Sequence, residues 1–240
     1  MHSAIMVDVP RPAFHDFYRV NRGGGLFSEA LSQRLGAAFA LTGQRLGLSP
    51  TALTLTNLVI GLSASVTVIA LAGPVAAGSV PAWVVGLIAL VGWQIAYALD
   101  CADGQLARVT GKGSAAGARI DILCDVAAQI ALVTALSATA IAQHPQLPVW
   151  LVAAFAGTWM VNLVTSVLQT GDNAASMVTS TSLPVRLVKL VRDYGAVIFV
   201  AGVVLLAAPA STTWLIAAFT VVNGGFLLAS IAFTARAATR

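Results

Sequence analysis

Long runs of apolar residues dominate the chain, and each run is bounded by charged residues, Gly or Pro. A helix needs about 20 consecutive apolar residues to cross the roughly 30 Å of hydrocarbon in a bilayer. Six runs of about this length occur, and each predicts a membrane-spanning helix. They cover residues 52–73, 80–100, 118–142, 148–169, 191–208 and 212–234. The predicted fold class is therefore an all-α integral membrane protein with six transmembrane helices.

A different pattern precedes the first run. Between residues 26 and 47, apolar side chains recur every three or four positions opposite a polar side, which predicts an amphipathic helix on the membrane interface. The apolar positions are Phe27, Leu31, Leu35, Ala38, Phe39 and Leu46. We therefore predict three regions along the chain. They are a flexible N-terminal segment (1–25), a juxtamembrane amphipathic helix (26–47) and a six-helix domain (48–240).

The composition agrees with a bilayer environment. Hydrophobic residues make up 58% of the 240 residues, charged residues make up 9%, and the mean hydropathy is +0.87. A soluble domain carries about 25% charged residues, so this composition excludes an ordinary soluble domain and a disordered chain. We expect a multi-pass protein of the cell membrane that contacts membrane lipids and has no nucleic-acid partner.

The Lys and Arg residues predict the orientation of the chain in the membrane. Short cytoplasmic connections collect basic residues. All 13 basic residues fall before the first span, between spans two and three, between spans four and five, or after span six, and the alternate connections hold none. This distribution predicts that both termini face the cytoplasm.

Four of the nine acidic residues fall within 26 positions in the middle of the chain. Asp100 and Asp103 share one helix face, and Asp121 and Asp125 share another. Both pairs lie at the cytoplasmic ends of adjacent spans, so a short connection would bring the four carboxylates together. Ionised groups in a span are costly and usually mark function. Two divalent cations would balance the four charges, and hard oxygen ligands favour Mg²⁺ or Mn²⁺.

Small and basic residues beside the carboxylates suggest chemistry on phosphate groups. Gly104, Ala107 and Gly117 leave room for a ligand, and Arg108 offers a guanidinium suited to phosphate oxygens. Metal ions held by carboxylates beside an Arg are the parts of a phosphoryl-transfer site. The residues leave open a cation transporter that uses the acidic cluster, and a catalytically silent membrane scaffold.

Residues 100–125 read DCADGQLARVTGKGSAAGARIDILCD. This is D-x-x-D-G-x-x-A-R, eight residues, and then G-x-x-x-D-x-x-x-D. The pattern resembles the signature of the CDP-alcohol phosphotransferase family, which comprises integral-membrane enzymes of phospholipid synthesis. The resemblance extends over about residues 45–235, because the six-span layout and the cytoplasmic position of the motif also match the family.

The resemblance implies roles for individual residues. Asp100, Asp103 and Asp121 would hold two Mg²⁺ or Mn²⁺ ions per chain, and Asp125 would be a further ligand and the general base. The CDP group would be held by Pro50, Thr51, Ala52, Leu53, Gly104, Arg108 and Ser114. The reaction would transfer a phosphatidyl or other phospho-alcohol group from a CDP-linked donor, such as CDP-diacylglycerol, to an alcohol acceptor with release of CMP. The resemblance also implies a homodimer with its active site at the cytoplasmic face.

The acceptor alcohol differs among members of this family. Arg186, Lys189 and Arg192 recur every three residues before the fifth span, and Lys112 and Arg119 lie near the predicted metal site. These cations favour an anionic polyol phosphate, either inositol phosphate or glycerol phosphate. They are equally typical of anchoring at the cytoplasmic interface. An uncharged or amino-alcohol acceptor is the alternative within the family.

Overall fold

The computed structural model describes residues 12–21, 25–168 and 193–238, and within these ranges it contains helices and no strand. The predicted all-helical class is confirmed. The helices are α1 (Phe14–Arg19), α2 (Gln33–Arg45), α3 (Pro50–Ala76), α4 (Ala82–Thr110), α5 (Ala115–Gln143), α6 (Val149–Leu168), α7 (Tyr194–Ala207) and α8 (Thr212–Ala238). A π-helical turn, Ser28–Ser32, precedes α2, and a 3₁₀ turn, Pro209–Ser211, precedes α8.

Each of the six predicted spans overlaps one apolar helix. Within the described residues, α3, α4, α5 and α8 are long and apolar enough to cross a membrane. The remaining two spans correspond to shorter apolar helices, over Val149–Val161 in α6 and over Tyr194–Ala207 in α7. The protein is therefore a multi-pass membrane protein, while six crossings and the cytoplasmic location of both termini stay predictions.

The N-terminal region contains a short helix where the sequence pattern predicted flexibility. Phe17 of α1 is fully buried and joins a small hydrophobic cluster with Ala37 and Ala40 of α2 and Leu106 of α4. A buried aromatic side chain anchors this segment because its apolar area is removed from solvent. The segment 1–25 is thus ordered in part, at Phe14–Arg19.

The side of α2 that packs against the protein differs from the apolar side that the sequence pattern predicted. Apart from Gln33, its packed side consists of Gly and Ala, and Gly36 lies so close to α4 that a Cβ there would be 2.8 Å from Cβ of Cys101. Leu31, Leu35 and Leu46, which the pattern assigned to the apolar face, are exposed. The small residues therefore serve close helix packing, and the large apolar side chains are left for the bilayer.

Close backbone approach also joins α4 to its other neighbours. A Cβ at Gly92 of α4 would lie 2.7 Å from Cβ of Ala64 in α3. On another side of α4, Gly202 of α7 faces the backbone of Leu90. Helices in lipid gain little from the hydrophobic effect between them, so contacts of this kind supply much of their association. α4 is accordingly held by α2, α3 and α7 together.

We expect Gly202→Ala to destabilise the protein. The added Cβ would lie 2.7 Å from Cα of Leu90, so α4 and α7 would have to separate. Overpacking of this kind costs about 1–3 kcal/mol. The melting temperature in detergent should therefore fall.

Gly157→Ala is the matched control for this prediction. Gly157 is also helical, in α6, and nothing lies within 4 Å of a Cβ built there. The melting temperature of Gly157→Ala should equal or exceed that of the wild type, since Ala is the better helix former. Equal melting temperatures for the two variants would contradict the close contact between α4 and α7.

Candidate active site

A tight turn places the two aspartate pairs at the same end of the helices. α4 ends at Thr110, and the next residue, Gly111, has a φ of +67°, a left-handed conformation that favours glycine. Ser114 then caps α5, because its Oγ accepts a hydrogen bond from the backbone N of Gly117 at 3.0 Å. The turn therefore ends one helix and begins the next within four residues.

The two aspartate-bearing helices, α4 and α5, are held in place by their packing on α3 and not by contact with each other. α3 packs along both α4 and α5, whereas α4 and α5 scarcely touch each other. The backbones of α4 and α5 are consequently separated by a gap, and the aspartate side chains reach into it and approach one another. This differs from the neighbouring helix pair that the short connection predicted, and the gap is what leaves room for a ligand.

Three of the four carboxylates converge in this gap. Single carboxylate oxygens of Asp100, Asp103 and Asp121 all lie within 4.8 Å of one another. Asp125 lies beside Asp100, within hydrogen-bonding reach of its carboxyl group. The arrangement concentrates negative charge in a partly buried place, where it is unfavourable without compensation.

The hydrogen bonding of these carboxylates leaves oxygen atoms available for a cation. Thr54 of α3 donates a hydrogen bond to Oδ2 of Asp103. Oδ1 of Asp121 is buried and has no hydrogen-bond partner among the described residues. A buried polar atom without a partner is costly, and here it lies within a cluster of hard oxygen ligands. The residues present therefore fit Mg²⁺ or Mn²⁺.

A cavity of about 510 Å³ lies beside Asp103 and Asp121, and we call it the large cavity. The first residues of α3 and α5, the last turns of α4 and the connecting turn form its wall. Of the residues predicted to hold CDP, the wall contains Pro50, Thr51, Gly104, Arg108 and Ser114. Ala52 and Leu53 are not among its lining residues, and Leu53 packs in the hydrophobic cluster with α2.

The electrostatics of the large cavity favour an anion away from the aspartates. The N-termini of α3 and α5 both open on it, and helix N-termini attract negative charge. Arg108 and Lys112 add two cationic side chains to the wall. The cavity thus has an acidic side, formed by Asp103 and Asp121, and a positive side suited to phosphate oxygens.

A second and much smaller cavity lies on the other side of the acidic cluster, and we call it the small cavity. Its volume is about 30 Å³, and it is lined by Asp100, Asp125, Asn57, Tyr97, Tyr194 and five further residues. A space of this size accommodates about one water molecule. The four aspartates therefore divide into one pair beside each cavity.

The predicted acceptor-binding residues are placed only in part. Lys112 lines the large cavity. Arg119 is exposed on α5 and is not among the lining residues of either cavity. Arg186, Lys189 and Arg192 lie outside the described residues.

The sequence analysis assigned the first residues of α3 to the site but missed Thr54 and Asn57 of the same helix. Thr54 bonds Asp103, and Nδ2 of Asn57 lies 3.5 Å from Oδ1 of Asp100 as a long hydrogen bond. Thr51, Thr54 and Asn57 follow one another at three-residue intervals near the start of α3. That spacing puts them on one helix face, so the polar stripe could have indicated a functional side of α3.

Comparison with known proteins identifies the family. No curated protein matches the chain. The family model for CDP-alcohol phosphatidyltransferases matches residues 48–235, which is most of the chain and includes the turn, all four aspartates and both cavities. The match begins within the region of the predicted resemblance, and it confirms the family that the aspartate signature indicated. The chain belongs to the CDP-alcohol phosphatidyltransferase family.

Proposed function

We propose that the protein transfers a phosphatidyl group, or another phospho-alcohol group, from a CDP-linked donor such as CDP-diacylglycerol to an alcohol, with release of CMP. One observation carries the proposal. Three carboxylates converge within 4.8 Å, and two of them, Asp103 and Asp121, form one side of a 510 Å³ cavity whose other side is positively polarised. Membership of this family favours a transferase over a cation transporter.

The large cavity is the proposed donor site. Its volume lies within the range of about 300–1,000 Å³ that is typical of small-molecule sites. Arg108, Lys112 and the N-termini of α3 and α5 would bind the two phosphates of CDP. Gly104 and Gly117 leave the backbone accessible, since any side chain there would occupy the space beside Arg108 or Ser114.

Asp100, Asp103 and Asp121 would hold two Mg²⁺ or Mn²⁺ ions, with Asp125 as a further ligand. When bound, these ions would neutralise the charge of the donor pyrophosphate and polarise the phosphorus that is attacked. The hydrogen bond from Thr54 to Asp103 and the long contact from Asn57 to Asp100 orient two of these carboxylates from α3. The supporting contacts limit the rotation of the ligands before substrate binds.

The proposed reaction forms one P–O bond and breaks another. The acceptor oxygen attacks the phosphorus next to the lipid or alcohol arm of the donor, and the bond from that phosphorus to the CMP oxygen breaks. Asp125 takes the proton of the acceptor hydroxyl. Asp125 lines the small cavity together with Asp100, so the hydroxyl would approach from that side of the cluster.

The remaining parts of the proposal concern the acceptor and the cellular setting. We propose an anionic polyol phosphate as acceptor, because Arg186, Lys189 and Arg192 shortly precede Tyr194 in the sequence, and Tyr194 lines the small cavity from which the hydroxyl would approach. The distribution of basic residues supports an active site at the cytoplasmic face of the cell membrane. A homodimer is proposed from the family alone.

The first test measures CMP release. We expect purified protein in detergent to release CMP from CDP-diacylglycerol when Mg²⁺ and the correct acceptor are present. Glycerol phosphate, inositol phosphate, inositol, serine and ethanolamine are supplied separately. Turnover with only the phosphorylated polyols is expected, and turnover with only the uncharged or amino alcohols would contradict the proposed acceptor. No CMP with any acceptor would contradict the transferase.

Removal of divalent cations should abolish turnover. EDTA leaves Asp100, Asp103 and Asp121 without the ions that balance their charge, so CMP release should fall to background and return when Mg²⁺ or Mn²⁺ is added in excess. Titration of the restored rate against metal concentration measures the apparent affinity. A rate that is insensitive to EDTA would rule out the proposed metal site.

Asp125→Asn should remove the general base while preserving the shape of the side chain. General-base catalysis contributes about 10²–10⁴-fold, so kcat should fall by at least about 100-fold while KM for CDP-diacylglycerol stays within about twofold. Asp16→Asn is the matched control, because Asp16 is an exposed carboxylate of α1 that lies 4.0 Å from Arg19. The assignment of the base fails if both variants turn over like the wild type.

A further inference from the structure

Asp193 is a buried carboxylate that the four-aspartate motif does not include. Only 4% of its surface is exposed, and it lies immediately before α7, where it caps the helix by accepting a hydrogen bond from the backbone N of Gly195 at 3.1 Å. It accepts two further bonds from Ser28, one from the backbone N at 2.9 Å and one from Oγ. The Ser28 bonds link the start of α7 to the π-helical turn before α2.

The local backbone is shaped for this contact. A Cβ added to Gly195 would lie 2.9 Å from Oγ of both Ser28 and Ser32, and one added to Gly25 would collide with the Asp193 side chain. The π-helical turn directs both serine hydroxyls at α7. π-helical turns often occur at functional sites. Gln94 of α4 strengthens the junction by donating to the carbonyl oxygen of Gly195 at 2.9 Å.

The junction continues to the small cavity through Tyr97. Oγ of Ser28 lies 3.1 Å from the hydroxyl oxygen of Tyr97. The Tyr97 ring packs edge-on against Tyr194, with ring centroids 5.0 Å apart and an angle of 79° between the planes. Both tyrosines line the small cavity beside Asp100 and Asp125.

The direction of the hydrogen bonds follows from the donors available. The Ser28 hydroxyl has one hydrogen and gives it to the Asp193 carboxylate, so it can only accept from Tyr97. The Tyr97 hydroxyl therefore donates to Ser28, which in turn donates to Asp193. This series of hydrogen bonds engages the hydroxyl hydrogen of Tyr97 and holds its ring in the wall of the small cavity.

We propose that Asp193 is a positioning residue for the transfer reaction: through Ser28 it fixes Tyr97 in the wall of the cavity from which the acceptor hydroxyl reaches Asp125. The inference rests on the proposed function. It adds a link between the interfacial turn, α7 and the reacting side of the acidic cluster. The large cavity, on the other side of the cluster, has none of these residues in its wall.

The test compares kcat and KM of CMP release from CDP-diacylglycerol, with Mg²⁺ and an acceptor that supports the wild type. The variants are Asp193→Asn, Ser28→Ala, Tyr97→Phe and the double variant of Asp193 and Tyr97. Asn is also a good N-cap, so Asp193→Asn keeps Oδ1 as acceptor for Gly195. It replaces Oδ2, which accepts from the backbone N of Ser28, by an amide donor that repels this N–H and displaces Ser28. We expect each single change to lower kcat about tenfold, because small misplacements near reacting groups are costly, with the donor KM within about twofold.

The double variant separates a positioning role from a structural one. Both changes interrupt the same chain, so the double variant should be no slower than the slower single variant. Multiplied effects of about 100-fold, or an Asp193→Asn variant as active as the wild type, would overturn the inference.

Ser32→Ala is the matched control for the serine. Ser32 is equally buried against Gly195, but its hydroxyl has no hydrogen-bond partner among the described residues, so kcat should stay within about twofold. A loss of kcat in Ser32→Ala equal to that in Ser28→Ala would count against the chain to Tyr97.

If Asp193→Asn does not fold, Tyr97→Phe tests the hydrogen-bond chain to Tyr97 instead, because it removes a single oxygen and keeps the ring. A wild type that releases no CMP overturns the proposed function itself, whereas normal wild-type turnover with unchanged variants overturns the inference alone.

Discussion

The structure depends on one electrostatic constraint, which is that four carboxylates must be held close together inside a membrane protein. Like charges at this distance repel, and their burial removes the water that would screen them. The chain meets the constraint by keeping α4 and α5 apart and packing α3 along both. The separation prevents collapse of the acidic faces onto each other, and it creates the space that cations and a nucleotide need. A more compact pairing of α4 and α5 would bury the same charges without compensation.

Small residues let three other helices pack closely against α4. α4 is fastened to α2 through Gly36, to α3 through Gly92 and to α7 through Gly202, each at a distance that a larger side chain would not permit. Close packing on three sides leaves α4 little freedom to move toward α5. The position of Asp100 and Asp103 is therefore set by the contact of Gly36 beside Cys101 and by the contacts at Gly92 and Leu90 farther along α4, as well as by the turn at Gly111. Stability and site geometry thus depend on the same helix.

The sequence was a good guide wherever a strong local signal existed. Long apolar runs predicted the helices, and the spacing of Asp100, Asp103, Asp121 and Asp125 indicated both the family and the region of the site. The missed features depend on which helix lies next to which. Nothing local shows that α3 contacts both aspartate-bearing helices, so Thr54 and Asn57 could not be assigned as partners of Asp103 and Asp100. The same lack of a local signal explains why the sequence assigned Leu53 to the CDP group, although Leu53 packs against α2.

The small size of the cavity beside Asp125 bears on which nucleophile the donor meets. Its 30 Å³ accommodates about one water molecule, so an acceptor hydroxyl that occupies it displaces the water that would otherwise be next to the base. Water and the acceptor hydroxyl would then compete for the same place beside Asp125. Under the proposed function, the walls formed by Tyr97 and Tyr194 would thereby protect an activated phosphate ester from hydrolysis. The volume of the small cavity would in this way favour transfer to the alcohol over hydrolysis, independently of the contacts that bind the rest of the acceptor.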